Sequence, residues 1–458
     1  MKKFLLLGVL LVGACGFAQN PPSKKLLEFG WDAPRPSQLT TAQLENSIFQ
    51  GVTFRSTAGI NVIQNKELPN SAFETDIADL QKIKSAKLKD SFYLVNVNTS
   101  PWDWFDDTAW AATEKNFFKL ARVAKEGGLR GILFDPEVYG FDLWAYGSQP
   151  QKSQHSFLQF EAQLFKRGQQ TMQAFERAYP GITVLFLKFF GDFDLPDNPT
   201  YQNAHAALET DSSLGLFAAF AEGMLQAASR QAVLIDGFEE SYYHLTPADF
   251  AAGRKGTLQD AKVLVRPELQ DKFVQQVRFA NAIYIDGVMN LFDSARFFGY
   301  YLPTNQDRRA LITQNVDQGL RASDEFVWVY AEKIDWWKKT APNPADYAPL
   351  ESAVQRGYTK QNNPTSSFSA TIQTARTAFD ARVNVGGDIN GLKGLTINFG
   401  NLQNHCATWS NASRWSCTQP NNSSFTVTPS ATGATFTPAI KTFTNLKKSD
   451  WNQHFSTK

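Results

Sequence analysis

Eight short apolar runs, separated by longer segments of helical periodicity, constrain the fold of this 458-residue chain more than any other feature. They are rich in Val, Ile, Phe and Tyr and are apolar on both faces, which is typical of strands in a buried parallel sheet. The runs lie at 27–31, 52–55, 92–97, 131–134, 183–189, 232–235, 282–285 and 326–330.

The segments between these runs place apolar residues at helical spacing. Residues 107–126 put Trp110, Phe117 and Leu120 on one face and stop at a Gly-Gly pair that is typical of a helix C-terminus. Further helices are predicted at 156–179, 214–228, 307–323 and 367–383, with weaker patterns at 40–48, 76–88 and 269–279.

This alternation predicts a (β/α)8 TIM barrel over residues 26–384, with enlarged loops. A doubly wound open sheet is the alternative. Such a sheet usually has a glycine-rich phosphate turn after its first strand, and the sequence FGWDAP at 29–34 is no such turn. Residues 385–458 are rich in Asn, Ser, Thr and Gly, which predicts a small β-rich or irregular C-terminal appendage.

Residues 1–18 have the pattern of a secretory signal peptide, with two lysines, an apolar run and then small residues. Cleavage after Ala18 would release a secreted or periplasmic protein. Cleavage before Cys15, in a sequence similar to a lipobox, would instead give a lipid-anchored surface protein. No other segment is long and apolar enough to cross a bilayer.

The expected export affects the oxidation state of the two cysteines outside this segment, Cys406 and Cys417. Because exported proteins fold in an oxidising compartment, we expect a disulfide between them. The alternative is two unrelated buried thiols.

Charge and composition narrow the range of partners. The chain has 45 Lys and Arg against 44 Asp and Glu, so charge gives no reason to expect nucleic acid or an anionic membrane as a partner. With only five His and three Cys, a zinc cluster or haem is not expected, and we expect no cofactor.

Polar residues follow every predicted strand, at the end of a barrel where active sites form. A ring of polar groups is costly to bury unless it binds something polar. Many Trp and Tyr also follow these strands, and their flat rings suit stacking on sugar faces. We expect substrate to bind at Trp31, Asp32, Arg55, Asn98, Tyr139, Asp236, Glu240, Tyr242, Asp286 and Trp336.

The sequence Asp135-Pro136-Glu137 follows the fourth strand. A spacing of two puts both carboxylates on one face, where like charges raise at least one pKa and so favour a general acid. The second carboxylate is expected from Glu239, Glu240, Asp286 or Glu332. Alternatively the tripeptide only shapes a turn, with the aspartate capping a helix, and Asp286 is equally a cap or turn residue.

Residues 131–139 (GILFDPEVY) resemble the strand-four Asp-x-Glu of chitinase-like barrels among the secreted glycoside hydrolases. The resemblance implies that Glu137 protonates the leaving oxygen and that Asp135 steadies an acetamido group. The chain departs from the pattern at Gly131 and Leu133, where that family has further acidic residues. Residues 28–32, 234–239 and 328–332 are also similar to a group of uncharacterised bacterial exported barrel proteins.

We therefore expect an exported glycoside hydrolase that cleaves a poly- or oligosaccharide. Its acid/base would be Glu137, and its second carboxylate Glu239 or Glu332. The alternatives are a non-catalytic glycan-binding lipoprotein and a metal-dependent hydrolase with Asp/Glu ligands. The sequence contains neither His-x-His nor His-Glu-x-x-His, motifs that favour a metal.

Overall fold

The structure is a computed structural model, and it describes residues 23–57, 62–97, 100–138, 141–211, 213–360, 366–390, 397–409 and 414–457. The predicted signal segment at 1–18, with Cys15, lies outside the described residues. Within them, no helix has the length and apolar character needed to span a membrane.

Nine strands form one parallel sheet in the order β7-β6-β5-β4-β3-β2-β1-β9-β8. Each apolar run of the sequence corresponds to one of them or to part of one. They are β1 (Lys25–Gly30), β2 (Gly51–Phe54), β3 (Phe92–Asn96), β4 (Gly131–Asp135), β5 (Thr183–Phe186), β6 (Val233–Asp236), β7 (Val277–Phe279), β8 (Asn281–Tyr284) and β9 (Phe326–Ala331).

The sheet closes because β7 and β8 are two halves of one extended segment with Ala280 between them. The first half pairs with β6 and the second with β9. The Ala280 N–H itself donates to the Asp236 carbonyl at 2.8 Å. The predicted (β/α)8 barrel is therefore confirmed, with its seventh strand in two pieces.

Helices alternate with the strands around the outside of the barrel. The two longest begin at the residues that the sequence pattern favours: Asp106 caps α3 by accepting from Thr108 and Ala109 N–H, and Ser156 forms a capping box with Gln159 at α4. The helices are α1 (Thr41–Glu45), α2 (Asn70–Leu80), α3 (Asp107–Glu126), α4 (Phe157–Ala178), α5 (Tyr201–Leu208), α6 (Phe217–Ala227), α7 (Pro247–Lys255), α8 (Gln270–Gln276), α9 (Ile285–Val288), α10 (Asn305–Ala322), α11 (Tyr347–Tyr358) and α12 (Ser366–Asp380).

Two of the weaker helix predictions were displaced. The helix expected at 76–88 lies at Asn70–Leu80, and Ser85 then caps a separate 3-10 turn. The helix expected at 269–279 ends at Gln276, because residues 277–279 pair with β6 instead.

Side chains fill the barrel interior, so the barrel is a packed core rather than a pore. Inward residues from several strands, among them Leu27, Phe92, Leu133, Leu185 and Trp328, form one buried cluster. The site must therefore lie above this cluster, at the C-terminal ends of the strands, here called the barrel mouth.

The C-terminal residues add two small sheets to the barrel. Five strands pair in the order β11-β12-β10-β16-β14, and β13 pairs with β15. A disulfide joins Cys406 and Cys417 on the paired strands β11 and β12, as the sequence predicted. The strands are β10 (Val383–Asn390), β11 (Cys406–Trp409), β12 (Arg414–Gln419), β13 (Phe425–Val427), β14 (Phe436–Thr437), β15 (Lys441–Phe443) and β16 (Phe455–Thr457).

Candidate active site

A cavity of about 430 Å³ lies at the barrel mouth. Carboxylates from three strand ends and several aromatic rings form its walls, and two residues of the C-terminal part close one side. Its lining residues are Phe29, Asp135, Glu137, Leu187, Glu239, Tyr242, Tyr243, Tyr284, Phe292, Arg296, Phe297, Tyr330, Glu332, Gln403 and Asn404.

Asp135 and Glu137 enter the cavity from the end of β4. The Asp135 carboxylate accepts from Asn96 Nδ2 at 2.7 Å and from the Glu137 backbone N–H at 2.9 Å. Asp135 therefore fixes the turn that presents Glu137. Burial, together with the nearby Glu137 charge, raises the pKa of Asp135 to about 7.

Glu239 enters from the end of β6, two residues after a glycine with no room for a side chain. A Cβ on Gly237 would lie 2.3 Å from the Phe186 carbonyl oxygen. Phe238 then adopts the left-handed region at φ 45°, a conformation that costs a non-glycine residue energy and is concentrated at functional sites. Burial, and secondarily the Glu137 charge, raises the pKa of Glu239 well above its usual range.

Lys188, just beyond β5, lies between these two carboxylates. Its Nζ is 3.2 Å from Glu137 Oε1 and 3.8 Å from Glu239 Oε2. Burial lowers the pKa of Lys188, but Glu239 and Glu137 raise it more, so the net direction is upward. The lysine therefore stays charged and neutralises part of the acidic cluster.

Glu332 enters from the end of β9 and forms a third acidic position. Tyr284 Oη donates to its Oε1 at 2.9 Å, and Tyr330 Oη lies 3.4 Å from the same atom. The backbone N–H groups of Glu332 and Lys333 both donate to Asp286 Oδ2. Asp286 thus holds the Glu332 segment in place and is itself fully buried.

Tyrosine rings form the wall between these acidic groups. Tyr242 packs 4.9 Å from Tyr284 and 5.9 Å from Tyr330, centroid to centroid. Burial raises the pKa of all three phenols above the usual value, with neighbouring carboxylates adding to the effect. They therefore remain protonated; Tyr284 and Tyr330 donate to Glu332, and the Tyr242 hydroxyl can donate to a ligand.

Trp31 and Asp32 lie in a second cavity of about 440 Å³, which shares Glu332 with the first. The Trp31 ring is 66% exposed. Asp32 accepts from the Trp336 backbone N–H at 2.7 Å, and burial raises its pKa to about 6.

Other residues expected to bind substrate lie outside both cavities. Asp236 is fully buried and accepts from the Gly191 and Phe238 N–H groups, so it shapes the loops. Arg55 donates to the Gly30 carbonyl, and Glu240 points to solvent. Trp336 is 4% exposed, packed between Phe49 and Tyr347. Asn98 and Tyr139 lie outside the described residues.

Lys188 was not among the predicted site residues, and neither were the cavity-lining residues Arg296, Gln403 and Asn404. The position of Lys188 could be predicted from sequence, since it is the first charged residue after an apolar strand. The positions of the other three could not, because the loops that bring them together are far apart in sequence. Within the described part of the chain, no three His, Cys, Asp or Glu side chains are arranged to hold a metal ion.

No family model and no curated protein matches the sequence. Among solved structures, an endo-β-mannanase/endo-β-glucanase of Prevotella bryantii is 12% identical with a TM-score of 0.39, over 74% of this chain and about half (48%) of that one. A glycoside hydrolase 5 lichenase of Caldicellulosiruptor is 11% identical, with a TM-score of 0.39 over 70% of this chain and 84% of that one. A chitinase of Chromobacterium violaceum is 12% identical, with a TM-score of 0.35 over 73% and 98%. At this level of similarity, the activity has to be argued from the site itself.

Proposed function

We propose that this protein is a glycoside hydrolase whose catalytic pair is Glu137 and Glu239. One observation supports this most directly: both carboxylates contact the Lys188 ammonium inside an aromatic cavity at the barrel mouth. Two carboxyl groups on either side of a glycosidic bond are the common requirement for its hydrolysis, one as acid and one as nucleophile or base.

Burial and the nearby Glu137 charge raise the pKa of Glu239, which favours a proton on that group, and Glu137 has the shorter contact with Lys188. In this proposal Glu239 protonates the leaving oxygen, and Glu137 acts as nucleophile or base. The chitinase-like resemblance of residues 131–139 implies the reverse assignment for Glu137.

Asp135 and Asn96 position the pair. Asp135 binds the backbone N–H of Glu137, and Asn96 holds Asp135 from the neighbouring strand β3. The protonated phenol of Tyr242 would donate to a sugar hydroxyl, and the rings of Tyr242, Tyr284 and Tyr330 would pack against the sugar faces.

Export is part of the proposal, on the strength of residues 1–18. Mass spectrometry of the mature N-terminus tests it. A free Gln19 indicates soluble export, a lipidated Cys15 indicates a surface anchor, and an intact Met1 contradicts export.

The function is tested by incubating the purified protein with soluble α- and β-linked gluco-, manno- and N-acetylgluco-oligosaccharides and separating the products. We expect shortened products from at least one series, unaffected by exhaustive chelation. Binding without any product would favour the non-catalytic glycan-binding protein. Loss of turnover on chelation, restored by added metal, would favour the metal-dependent hydrolase.

A further inference from the structure

The loop before β11 closes one side of the cavity. Gln403 and Asn404 line it, although they belong to the C-terminal part of the chain. Two contacts hold this loop on the barrel: His405 Nδ1 accepts from the Ala295 N–H at 3.3 Å, and the His405 and Tyr300 rings lie 5.9 Å apart. The next residue, Cys406, is tied to Cys417 of the C-terminal sheet by the disulfide.

Arg296 lies beside this loop and also lines the cavity. Its guanidinium is 5.7 Å from the centre of the Phe297 ring, and across the described residues it forms no ion pair. Lys188, by contrast, has Glu137 and Glu239 within 4 Å. Of these two cations, Lys188 is therefore already neutralised by the cavity carboxylates, and Arg296 is not.

A planar guanidinium beside carboxamide groups is a donor set suited to an oxyanion. Arginine binds a carboxylate or sulfate through two parallel hydrogen bonds, and amide N–H groups add further donors. The Gln403 Oε1 atom accepts from the Phe399 N–H at 2.8 Å, which leaves its Nε2 to donate.

We propose that Arg296, Gln403 and Asn404 form a subsite for an anionic group of the substrate, a carboxylate or sulfate carried by the sugar. The subsite rests on the proposed function and names the class of glycan as acidic. The carboxylates of Glu137 and Glu332 would repel an anion from the other walls, so the anionic substituent of the substrate has one favourable position, beside Arg296. The C-terminal part thereby contributes to specificity.

The protonation of the buried carboxyl groups Asp135 and Glu239 is compatible with an anionic substrate. Burial raises the pKa of Asp135 to about 7 and raises that of Glu239 as well. Near neutral pH both groups therefore carry less negative charge than ordinary carboxyl groups would.

The test uses the Glu137→Gln protein, so that ligands are bound without turnover, and titration calorimetry. The probes are tetrasaccharides of β-1,4-glucan, β-1,4-mannan and α-1,4-glucan, each as the neutral sugar, the C6 carboxylate and the 6-O-sulfate. We expect an acidic form of one series to bind at least about tenfold more tightly than its neutral form, given the usual strength of charge-assisted hydrogen bonds. Comparing the C6 carboxylate with the 6-O-sulfate of the same sugar shows which anionic group the subsite binds.

Arg296→Gln should reduce this preference to below about threefold and leave binding of the neutral form unchanged. Asn404→Ala should reduce it in part, and Arg278→Gln, at an exposed arginine outside the cavity, should not change it. Thermal melting of each variant checks that it folds. Equal binding of neutral and acidic forms, or an equal effect of Arg296→Gln on both, overturns the subsite alone. No binding of any series overturns the proposed function as well.

Discussion

The Lys188 ammonium lies 3.2 Å from Oε1 of Glu137, and Glu239 approaches the same nitrogen at 3.8 Å. These residues come from three successive barrel strands, β4, β5 and β6. One lysine thus stabilises two acidic groups that would otherwise repel each other in a buried position. If Glu137 and Glu239 are the catalytic pair, as we propose, Lys188 affects both the activity and the pKa of Glu239.

Replacement of this lysine tests that role. We expect Lys188→Met to lower kcat by about 100-fold or more, since a lost electrostatic partner at a reacting centre typically costs this much. Lys188 lowers the pKa of Glu239, the proposed acid, so without the lysine the falling limb of the pH–kcat profile should move to higher pH. The measurement is the full pH–kcat profile. Lys338→Met, at an exposed lysine paired with Asp335, is the matched control. An unchanged profile for Lys188→Met contradicts the role.

Stability should fall as the pH rises from about 4 to about 7. Burial and the Glu137 charge raise the pKa of Asp135 from 3.8 to about 7, and burial raises that of Asp236 to about 7 as well. Between these values the folded protein keeps a proton that the unfolded chain has lost. Each such group therefore lowers the free energy of unfolding by up to about 1.4 kcal/mol per pH unit.

Urea denaturation at several pH values measures this slope. Asp135→Asn, which cannot ionise, should reduce the slope in the same pH window. Asp271→Asn, at an exposed aspartate, should leave it unchanged. A slope that is the same in wild type and Asp135→Asn would count against a proton on Asp135.

Trp336 and Trp31 should behave in opposite ways when replaced by alanine. Trp336 is buried between two rings, so its loss should lower the free energy of unfolding by about 3–5 kcal/mol. Trp31 is largely exposed beside the second cavity, so its loss should change stability by less than about 0.5 kcal/mol. It should instead raise KM about three- to tenfold for longer oligosaccharides, because stacking contributes about 0.5–1.5 kcal/mol.

Denaturation curves and KM values for short and long oligosaccharides separate these effects. A stable Trp336→Ala protein with a raised KM would show that this ring reaches the ligand. An unchanged KM for Trp31→Ala at every chain length would remove the second cavity from the binding site.

The assignment of the acid can be tested with the leaving group. Dinitrophenyl glycosides depart without a proton, whereas an ordinary sugar needs one. If Glu239 is the acid, Glu239→Gln should lose about 10²–10⁴-fold in kcat on the oligosaccharide but less than about tenfold on the dinitrophenyl glycoside. The same pattern for Glu137→Gln instead would assign the proton to Glu137, as the chitinase-like resemblance implies.

The strands could be predicted because a parallel sheet covered on both faces demands continuous apolar runs. The seventh strand shows the limit of this signal. Exposed Arg278 and buried Asn281 interrupt its apolar run, and Asn281 Nδ2 donates to the Gly319 carbonyl and to Ser323 Oγ at the end of α10. Because residues 277–279 form a strand only by pairing with β6, the pattern at 269–279 predicts a single helix instead.

The acidic part of the site was recognisable because strand ends converge in any barrel. Glu137, Glu239 and Glu332 follow strands 4, 6 and 8 of the predicted order, and all three line the cavity. The loop that carries Asn404 could not be placed in this way. It reaches the barrel through the hydrogen bond between the Ala295 N–H and His405 Nδ1, which are 110 residues apart in the chain. The sequence around either residue does not predict that contact.

The most direct test of the catalytic pair is the kcat of three variants on an oligosaccharide that the wild-type protein cleaves: Glu137→Gln, Glu239→Gln and Glu240→Gln. Glu240 is the matched control, since it is the exposed neighbour of Glu239. We expect the first two to lose at least about 10²-fold in kcat with unchanged melting temperatures, and the control to stay within about twofold of wild type. Wild-type kcat in Glu137→Gln or Glu239→Gln would contradict the account.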